Sequence, residues 1–413
     1  MSAATGHNRQ YDLVVFGATG FVGQLVCQYL RAQQQQETFR WAIAGRSPQK
    51  LQALAQTLGS ENAALSYLVA DATDEASLRE MCGQTQVVIS TVGPYALYGN
   101  GLVKICAETG TSYCDLTGEP QWIRRMIEQY SSQAAQSGAY IVHCCGFDSV
   151  PSDLGVYYLQ QQAQQQWGRP CSEVKLRLLD ARGGVSGGTL ASGLNLIKEV
   201  LEDSNLQKQL ESPYFLCPDS LQNPAQPQPL VPVQFDSDFQ QWVTPFVMAA
   251  VNTRVVLRSN YLQKYAYGEA FQYEEGIVTA DGPLGWLTAQ GLKLGLDAAV
   301  VAAVIPPSRW LVEKWLLPAP GEGPSQEEQA SGFYDLRLLG KCSENQSLTT
   351  KVTGDRDPGY GSTSKIVAQA GLCLAQDFAH KPLPGGFWTP ASLMGDALIS
   401  RLEQYAGVTF TAL

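Results

Sequence analysis

Histidine is scarce in this chain: 413 residues include only His7, His143 and His380. The ten cysteines form no C-x-x-C pair and show no spacing typical of a metal site. Structural and catalytic zinc sites draw their ligands mainly from these two residue types. The sequence therefore predicts no metal centre.

Charge is also sparse, since charged residues make up 16% of the chain and the formal net charge is −10. Proteins that bind nucleic acid carry a basic face that neutralises phosphates, and no such face stands out here. We therefore expect no nucleic-acid partner. Hydrophobic residues make up 45% of the chain, which is typical of a globular protein of about two or three domains.

Long uninterrupted apolar runs are absent, although a spanning helix needs about 20 apolar residues. The nearest approach begins at Leu284 and is interrupted by Lys293 and Asp297. The apolar region 284–317 has three interpretations: a buried helical hairpin, a lipid-facing surface making peripheral membrane contact, or a homodimer contact. With no signal-peptide pattern and many cysteines expected to be free thiols, we expect a cytoplasmic protein, membrane-associated only under the lipid-facing interpretation.

A glycine-rich turn near the N-terminus is the strongest signal in the sequence. It follows the apolar, β-branched stretch 11–16 and precedes residues with helical spacing, so it joins a strand to a helix. Such a turn lets backbone approach a pyrophosphate at the helix N-terminus. The spacing is G-x-x-G-x-x-G, and the residues predicted to contact a dinucleotide are Gly17, Ala18, Thr19, Gly20, Phe21, Val22 and Gly23.

The end of the second predicted strand indicates which dinucleotide binds. NAD sites usually carry an acidic residue there, whereas NADP sites carry a cation for the 2′-phosphate. This chain has no acid and has Arg46, Ser47 and Lys50. Arginine can bind a phosphate through two N–H groups, and Ser47 can cap the next helix. The sequence predicts NADP(H); the alternative is that Arg46 and Lys50 are solvated surface charges.

Strands and helices alternate through residues 11–152, which predicts a doubly wound parallel sheet of the Rossmann type. The cofactor of such a sheet lies across the carboxyl ends of the strands. We therefore predict contacts from Asp71 and from the segment Thr91, Val92, Gly93 and Pro94. Asp71 has the alternative of a helix-capping or loop residue.

Two further residues follow strand ends on this edge and are candidates for a proton donor or an orienting group. Tyr95 comes directly after Pro94, and Asp148 lies in the polar loop after the sixth strand. Asp148 has the alternative of a turn-forming residue. Asp153 is expected to be the N-cap of the next helix.

The second half predicts a mixed, largely antiparallel α+β domain over residues 153–353, with region 284–317 inserted. Strands are expected near 173–180, 255–258, 333–340 and 347–353, with a long loop over 213–245. The loop 183–189 is either a closure over substrate or a plain connection. Residues 1–10 are expected to be a disordered tail, and 354–413 a helical segment whose Gly/Ser-rich start could hold an anion.

Several blocks resemble the saccharopine dehydrogenase-like oxidoreductases, including the trans-acting enoyl reductases. The most specific runs from Gly146 to Asp153; others are 16–23, 44–46, 92–95 and 114–119, with shorter matches at 187–189, 321–324 and 358–361. The resemblance implies an N-terminal NAD(P)-binding domain, a central α/β domain and a C-terminal helix returning to the first domain. It also implies oxidoreductase chemistry, and the enoyl reductase members act on lipid-like chains.

Three functional hypotheses follow. The first is an NADPH-dependent reductase of an activated C=C or C=O bond on a hydrophobic, lipid-like substrate. The second is a saccharopine-type amino-acid dehydrogenase, in which Arg177, Arg182, Arg254 and Arg258 would bind two carboxylates near the nicotinamide. The third is a lipid-associated scaffold that binds NADP(H) without turnover.

Overall fold

The structure is a computed structural model that describes residues 9–59, 64–184, 187–218, 228, 231–305, 323–343, 345–379, 381 and 383–413. A parallel seven-stranded sheet organises the N-terminal part. Its strands are β1 (Tyr11–Phe16), β2 (Trp41–Gly45), β3 (Tyr67–Val69), β4 (Thr85–Ser90), β5 (Ser112–Asp115), β6 (Tyr140–Val142) and β13 (Gly386–Trp388). The order is β13-β6-β5-β4-β1-β2-β3, which confirms the predicted doubly wound sheet.

The helices between these strands cover both faces of the sheet, so the central strands are apolar on both sides. Leu13 and Val15 pack into one core, whereas Val14 and Phe16 pack into the other. These helices are α1 (Phe21–Gln33), α2 (Pro48–Leu58), α3 (Glu75–Gln84), α4 (Tyr95–Tyr98), α5 (Asn100–Thr109) and α6 (Pro120–Ser137).

The second sheet also has seven strands, and only its β7–β10 pair is parallel. Its strands are β7 (Glu173–Arg182), β8 (Gln234–Asp236), β9 (Gln241–Pro245), β10 (Gln272–Val278), β11 (Phe333–Ser343), β12 (Gln346–Gly354) and β14 (Val408–Ala412). The order β14-β12-β11-β7-β10-β9-β8 fits the predicted mixed, largely antiparallel domain. The described part of the expected loop 213–245 therefore includes the hairpin β8–β9.

Five further helices accompany this sheet: α7 (Val150–Trp167), α8 (Gly187–Glu202), α9 (Ser204–Gln209), α10 (Ala249–Leu262) and α11 (Gly282–Val304). The strand expected near 255–258 is wrong, because those residues lie inside α10. That helix is buried on several sides, against β10 and α7. Its apolar positions therefore do not form the single stripe that identifies a surface helix.

The C-terminal segment serves both sheets, because it supplies β13 to the first and β14 to the second. Helix Thr363–Leu372 packs against α1, as expected for a segment returning to the first domain. The other helical elements of the last ninety residues are Gln326–Ala330, Pro358–Ser362, Cys373–Asp377, Pro390–Leu393, Gly395–Arg401 and Leu402–Ala406, of which the second, third and last are π-helical.

Two smaller expectations need correction. Arg9, placed in the disordered tail, is ordered and donates to Thr111 Oγ1 at 2.8 Å and to the Thr109 carbonyl at 2.8 Å. Cys171 and Cys342 form a disulfide between the start of β7 and the end of β11, so these two cysteines are not free thiols. The other cysteines are free and buried.

Helix α11 is the most exposed apolar element of the described chain. It has 23 residues, and its length and hydropathy would suffice to cross a membrane. Only 11% of the residues in its most apolar 18-residue stretch are buried, and Leu284 and Leu294 are 76% and 65% exposed. The buried-hairpin interpretation is therefore wrong for 284–305. Residues 306–317 lie outside the described residues.

Candidate functional site

The glycine-rich turn has the geometry that a dinucleotide site requires. Gly17 has a φ of +88°, a conformation that side chains rarely adopt. A Cβ added at Gly23 would lie 2.2 Å from the Gly17 carbonyl oxygen, so only glycine lets α1 start this close to β1. Gly20 is exposed and has only that same oxygen nearby, at 3.3 Å from an added Cβ. The turn therefore keeps open backbone at the helix N-terminus.

Thr91 fixes this turn from the neighbouring strand. Its hydroxyl lies 3.2 Å from both the Phe16 and the Gly17 carbonyl oxygens, and its backbone N–H donates to Phe16. A Cβ at Gly17 would lie 2.7 Å from Thr91 Oγ1 and from a Val92 methyl group. Thr91 and Val92 thus pack directly against the glycine-rich turn. Their predicted contact with the cofactor stays a prediction.

The end of β2 presents the predicted cation to solvent. Arg46 is exposed directly after Gly45, and Ser47 caps α2 by accepting from the Lys50 N–H at 3.4 Å, with Pro48 in the first turn. The cap predicted for Ser47 is confirmed. Lys50 is exposed in the first turn of α2, so both bases are accessible after β2, and their contact with a 2′-phosphate stays a prediction.

Asp71 follows β3 on the same edge, and its carboxylate forms a local turn with Thr73. It accepts from the Thr73 N–H at 2.9 Å and from the Thr73 hydroxyl at 2.8 Å. These hydrogen bonds lower the pKa of Asp71, and the nearby Arg46 charge adds to that effect. The loop alternative therefore describes its side chain, because the N-cap of α3 is Asp74, and a contact with adenine stays a prediction.

The segment after β4 divides into an exposed turn and a buried ring. Gly93 is exposed and Pro94 is half-buried, so this backbone is available to a ligand. Tyr95 is only 5% exposed; its hydroxyl donates to the Ser90 carbonyl at 3.0 Å and accepts from the Leu116 N–H at 3.2 Å. A hydroxyl held in the core by two backbone partners does not reach a substrate, so this conformation gives Tyr95 a structural role.

Asp148 lies where the loop after β6 contacts α8 of the second domain. It is half-buried in the loop that enters α7, and it accepts from Thr189 Oγ1 of α8 at 3.3 Å. Burial raises the pKa of Asp148 to about 6. A carboxyl group with this pKa can act as an acid near neutral pH.

Asp115 anchors the strand ends behind this loop. Its fully buried carboxylate accepts from the Thr117 and Cys144 N–H groups, both at 3.1 Å, and lies 2.7 Å from His143 Nδ1. Cys144 has a φ of +62°, which a free turn would avoid. Asp115 therefore stabilises the turn through which the chain reaches Asp148.

Asp153 is not an N-cap, because α7 begins at Val150. Its buried carboxylate instead accepts from Ser259 Oγ of α10 at 2.5 Å and from the Ala391 N–H at 2.8 Å. Burial raises the pKa of Asp153 to about 7. This residue joins three distant parts of the chain rather than ending one helix.

Helix α8 of the second domain contacts the first domain through polar side chains. Its polar face holds Thr189, Ser192 and Glu199, which contact Asp148, Glu119 at 2.7 Å and Arg125 at 2.8 Å, respectively. The opposite face is apolar, with Leu190, Leu194, Ile197 and Leu201 at helical spacing. Of the loop 183–189, residues 183–184 and 187–189 are described, and the last three form the start of α8. The Gly187 N–H donates to Tyr360 Oη at 2.9 Å.

The four arginines of the dehydrogenase hypothesis do not converge. Arg177 is fully buried against Asp236 and Glu274, while Arg182 is exposed at the end of β7. Arg254 and Arg258 donate to backbone carbonyls, and burial lowers the pKa of each to about 10. None of these groups forms a pair that could bind a dicarboxylate.

The anion site expected at the start of the C-terminal segment is also absent from the described chain. The carboxylate of Asp357 accepts from the Tyr360 N–H at 2.9 Å and from the Gly361 N–H at 2.8 Å. The backbone donors that an anion would need are therefore already used. The described residues contain no group of three or more histidine, cysteine or acidic side chains arranged to hold a metal ion.

Sequence reasoning missed Glu119, Thr189 and Ser192. The strand-end argument applied to Asp71 would have found Glu119, because it follows β5 on the same edge. The sequence singled out Thr189 only as part of the loop 183–189 and gave no signal for Ser192, since the partners of both residues belong to the other domain. These residues are known only from the packing of α8.

Comparisons with known proteins agree with this geometry. Residues 13–142 match the saccharopine dehydrogenase NADP-binding domain. A Mycobacterium tuberculosis protein named provisionally as a trans-acting enoyl reductase is 38% identical over 417 residues, covering 98% of both chains. The trans-acting enoyl reductase of Mycobacterium ulcerans is 36% identical over 425 residues, again covering 98% of both chains.

Among solved structures, apo saccharopine dehydrogenase (L-Glu forming) of Saccharomyces cerevisiae has the same fold. Its TM-score is 0.53 at 14% identity, and the match covers 97% of this chain and 99% of that one. The sequence similarity to the mycobacterial proteins extends through both sheets and the C-terminal segment. The chain therefore belongs to the trans-acting enoyl reductase family, among the saccharopine dehydrogenase-like proteins with an NADP-binding domain.

Proposed function

We propose that the protein is an NADPH-dependent oxidoreductase that reduces the C=C bond of an enoyl group on a hydrophobic, lipid-like substrate. The observation that carries the proposal is that the glycine turn, Arg46, Gly93 and Asp148 all follow strands of the parallel sheet and so lie on its carboxyl edge. Helix α8 contacts Asp148 on that edge, and the exposed apolar helix α11 packs against α8, which suits an apolar chain. NADPH, when bound, would supply the hydride.

The residues of this edge have separate tasks in the proposal. Arg46 and Lys50 hold the 2′-phosphate, and the N-terminus of α1 with the 17–23 turn holds the pyrophosphate. Gly93 and Pro94 place bare backbone against the nicotinamide. Asp148 donates the proton to the second carbon of the double bond, and the Thr189 hydroxyl orients its carboxyl group.

The cofactor preference is tested with Arg46→Ala and a control, Arg40→Ala, at the other end of β2, where Arg40 pairs with Asp12. Binding of NADPH and NADH is followed by nicotinamide fluorescence. We expect Arg46→Ala to weaken NADPH binding by about tenfold or more, from loss of a charge-assisted contact, with NADH binding unchanged. Equal affinity for both cofactors in the unmodified protein would remove the NADP proposal.

The proton donor is tested with Asp148→Asn and a trans-2-enoyl thioester as substrate. Because a donor must be protonated, kcat should fall as pH rises above about 6, where Asp148 loses its proton. The variant should lose this pH dependence and at least about 100-fold in kcat, while NADPH binding stays unchanged. Unchanged turnover would exclude Asp148. Tight NADPH binding without turnover of any enoyl substrate would favour the scaffold hypothesis.

We also propose that α11 contacts a membrane surface peripherally and thereby brings the reductase to its lipid-like substrate. Helices that are apolar on all sides are normally buried in protein or lipid. The charges that interrupt α11, Lys293 and Asp297, pair with each other at 2.5 Å. The exposed apolar surface continues onto α8, which contacts α11 and leads to Asp148.

Flotation with phosphatidylcholine vesicles tests this contact, using Leu287→Gln/Leu294→Gln in α11. The control is Phe333→Gln, which changes an exposed aromatic residue at the start of β11. We expect the double variant to lose vesicle binding and the control to retain it. If the unmodified protein ignores vesicles and is a dimer that the double variant dissociates, α11 is a homodimer contact instead.

A further inference from the structure

A buried carboxylate connects the turn after β4 to helix α8 of the second domain. Glu119 is fully buried between β5 and α6. Its carboxylate accepts from the Tyr95 N–H at 2.7 Å and from the Ala96 N–H at 3.0 Å, directly after the exposed Gly93–Pro94 turn. From the other domain, Ser192 Oγ of α8 donates to the same carboxylate at 2.7 Å.

The surroundings of Glu119 make these three hydrogen bonds important. The described residues that bind its carboxylate are all neutral donors, and burial raises the pKa of Glu119. A buried carboxylate is stable only while such donors remain in place. Its own backbone is held as well, because the Glu119 N–H donates to Thr117 Oγ1 at 3.1 Å. Glu119 is therefore a fixed point to which both the turn after β4 and α8 attach.

One of those parts, α8, also contacts α9 and α11, and its Gly187 N–H donates to Tyr360 Oη. None of its 16 residues is buried, so little apolar packing holds it against the protein. Its contacts with the first domain are polar: Thr189 with Asp148, Ser192 with Glu119, and Glu199 with Arg125. Of these contacts, the one from Ser192 is made to the Glu119 carboxylate, which also binds the N–H groups of the turn after β4. The position of Thr189 beside Asp148 follows from where α8 is held.

We propose that Glu119 is a positioning residue of the reductase site, which holds α8 and the Gly93–Pro94 turn in a fixed relation. It touches neither cofactor nor substrate in this proposal. By holding both parts, it sets the distance between the backbone that faces the nicotinamide and the Thr189–Asp148 pair that faces the substrate. The catalytic consequence rests on the proposed function; the mechanical link between α8 and the turn does not.

Three variants separate the two halves of this link. Ser192→Ala removes only the attachment of α8. Glu119→Gln keeps the size of the side chain but turns one acceptor into a donor. Ser192 and the Tyr95 N–H share Oε1 and the Ala96 N–H uses Oε2, so either orientation of the amide places its NH2 group against a backbone N–H. Lys198→Ala is the control, because Lys198 is exposed on α8. Each variant is studied at full length and saturated with NADPH.

Amide hydrogen exchange is the first measurement, and it needs no turnover. We expect Ser192→Ala to raise exchange in 187–202 by about fivefold or more and to leave 95–98 unchanged. Glu119→Gln should raise exchange in both segments, and Lys198→Ala in neither. Exchange in α8 that is unaffected by Ser192→Ala overturns the proposal, and that result stands even if Glu119→Gln fails to fold.

Steady-state reduction of a trans-2-enoyl thioester is the second measurement. We expect Ser192→Ala to lower kcat by about tenfold and to change NADPH affinity by less than twofold, because orientation rather than binding is lost. Looser α8 with unchanged kcat and KM would overturn the positioning role. No turnover in the unmodified protein would refute the proposed function, whereas the exchange experiment would still decide the link.

Discussion

Carboxylates buried among neutral donors are the main residue-scale feature of this molecule. Glu119 and Asp153 are buried and Asp148 is half-buried; all three accept from hydroxyl or backbone N–H groups, and burial raises the pKa of each. Sequence position alone placed Asp148 on the cofactor edge and made Asp153 a helix cap. The role predicted for Asp153 differs from the observed one because a capping role depends on where the helix begins. Burial of a carboxylate depends on which elements pack over it.

Asp153 makes stability depend on pH in a defined direction. Its pKa is about 7 in the folded protein, against an ordinary value of 3.8, so the folded state keeps a proton that the unfolded state releases. Its contribution is most favourable below pH 4 and is lost as pH rises towards 7. Relative to Asp153→Asn, the unmodified protein should lose about 2 kcal/mol between pH 5.5 and pH 8.

Urea unfolding of both proteins at the two pH values measures this change. Asp74→Asn is the control, since Asp74 is an exposed N-cap of α3 and asparagine caps equally well. The same pH dependence in Asp153→Asn and in the unmodified protein would contradict the assignment.

Gly23 is the position where an added methyl group does the most local damage. In Gly23→Ala the new Cβ would meet the Gly17 carbonyl oxygen at 2.2 Å, and backbone cannot move aside as a side chain can. We expect a loss of about 1–3 kcal/mol in stability, as for other overpacked sites, together with loss of NADPH binding.

Thermal unfolding and NADPH titration check this result against Gly83→Ala. Gly83 lies in α3, where an added Cβ has nothing within 4 Å, so alanine should leave stability equal or higher. Normal NADPH affinity in Gly23→Ala would show that the turn does not hold the cofactor.

At the scale of elements, strand ends and helix starts carry the site. The turn after β1, the cap of α2, the turn after β4 and the loop before α7 all lie on one edge, because parallel strands end on the same side of a sheet. This is why strand ends were enough to predict cofactor residues on that edge. The same reading could not show that α8 covers the edge, since α8 belongs to the other sheet.

Ser47 permits a test that separates helix stability from cofactor charge. Ser47→Ala should cost about 0.5–1 kcal/mol through loss of the α2 cap. Ser47→Asp keeps a capping oxygen but adds a negative charge beside Arg46, so stability should hold while NADPH affinity falls more than NADH affinity. Calorimetry and fluorescence titration give the two quantities. Parallel losses for both cofactors would place the 2′-phosphate away from Ser47.

At the scale of the whole molecule, the C-terminal segment binds the two sheets into one structure. It adds β13 to the first and β14 to the second, and it places Arg401 against the first domain. The buried Arg401 guanidinium donates to Glu37 at 3.1 Å, to Asp377 at 2.5 Å and to Gln369 at 3.1 Å. Strands that are distant in sequence thereby complete both sheets.

Arg401→Met tests this connection. Removing the guanidinium leaves Glu37 and Asp377 without their cation, which should cost about 3 kcal/mol in the free energy of unfolding. The matched control is Arg337→Met, whose partner Asp335 lies on the same partly exposed strand, and which should cost less than about 1 kcal/mol. Equal losses in urea unfolding would show that Arg401 has no special role in joining the segment.

The sequence by itself determined the parallel sheet, the dinucleotide turn and the family, because these follow from local patterns. Alternating strands and helices, glycine spacing and the cation after β2 are all readable over a few residues. Periodicity failed at 255–258, where a helix buried on several sides shows no single apolar stripe. It also left three interpretations open for region 284–317.

Only the tertiary structure decided which polar groups meet. Tyr95 is held in the core, Asp153 joins α10 to the C-terminal segment, and Glu119 receives Ser192 from the other domain. The exposure of α11 was decided in the same way, by the absence of a covering element among the described residues. These outcomes depend on contacts between residues far apart in the chain, which local patterns do not encode.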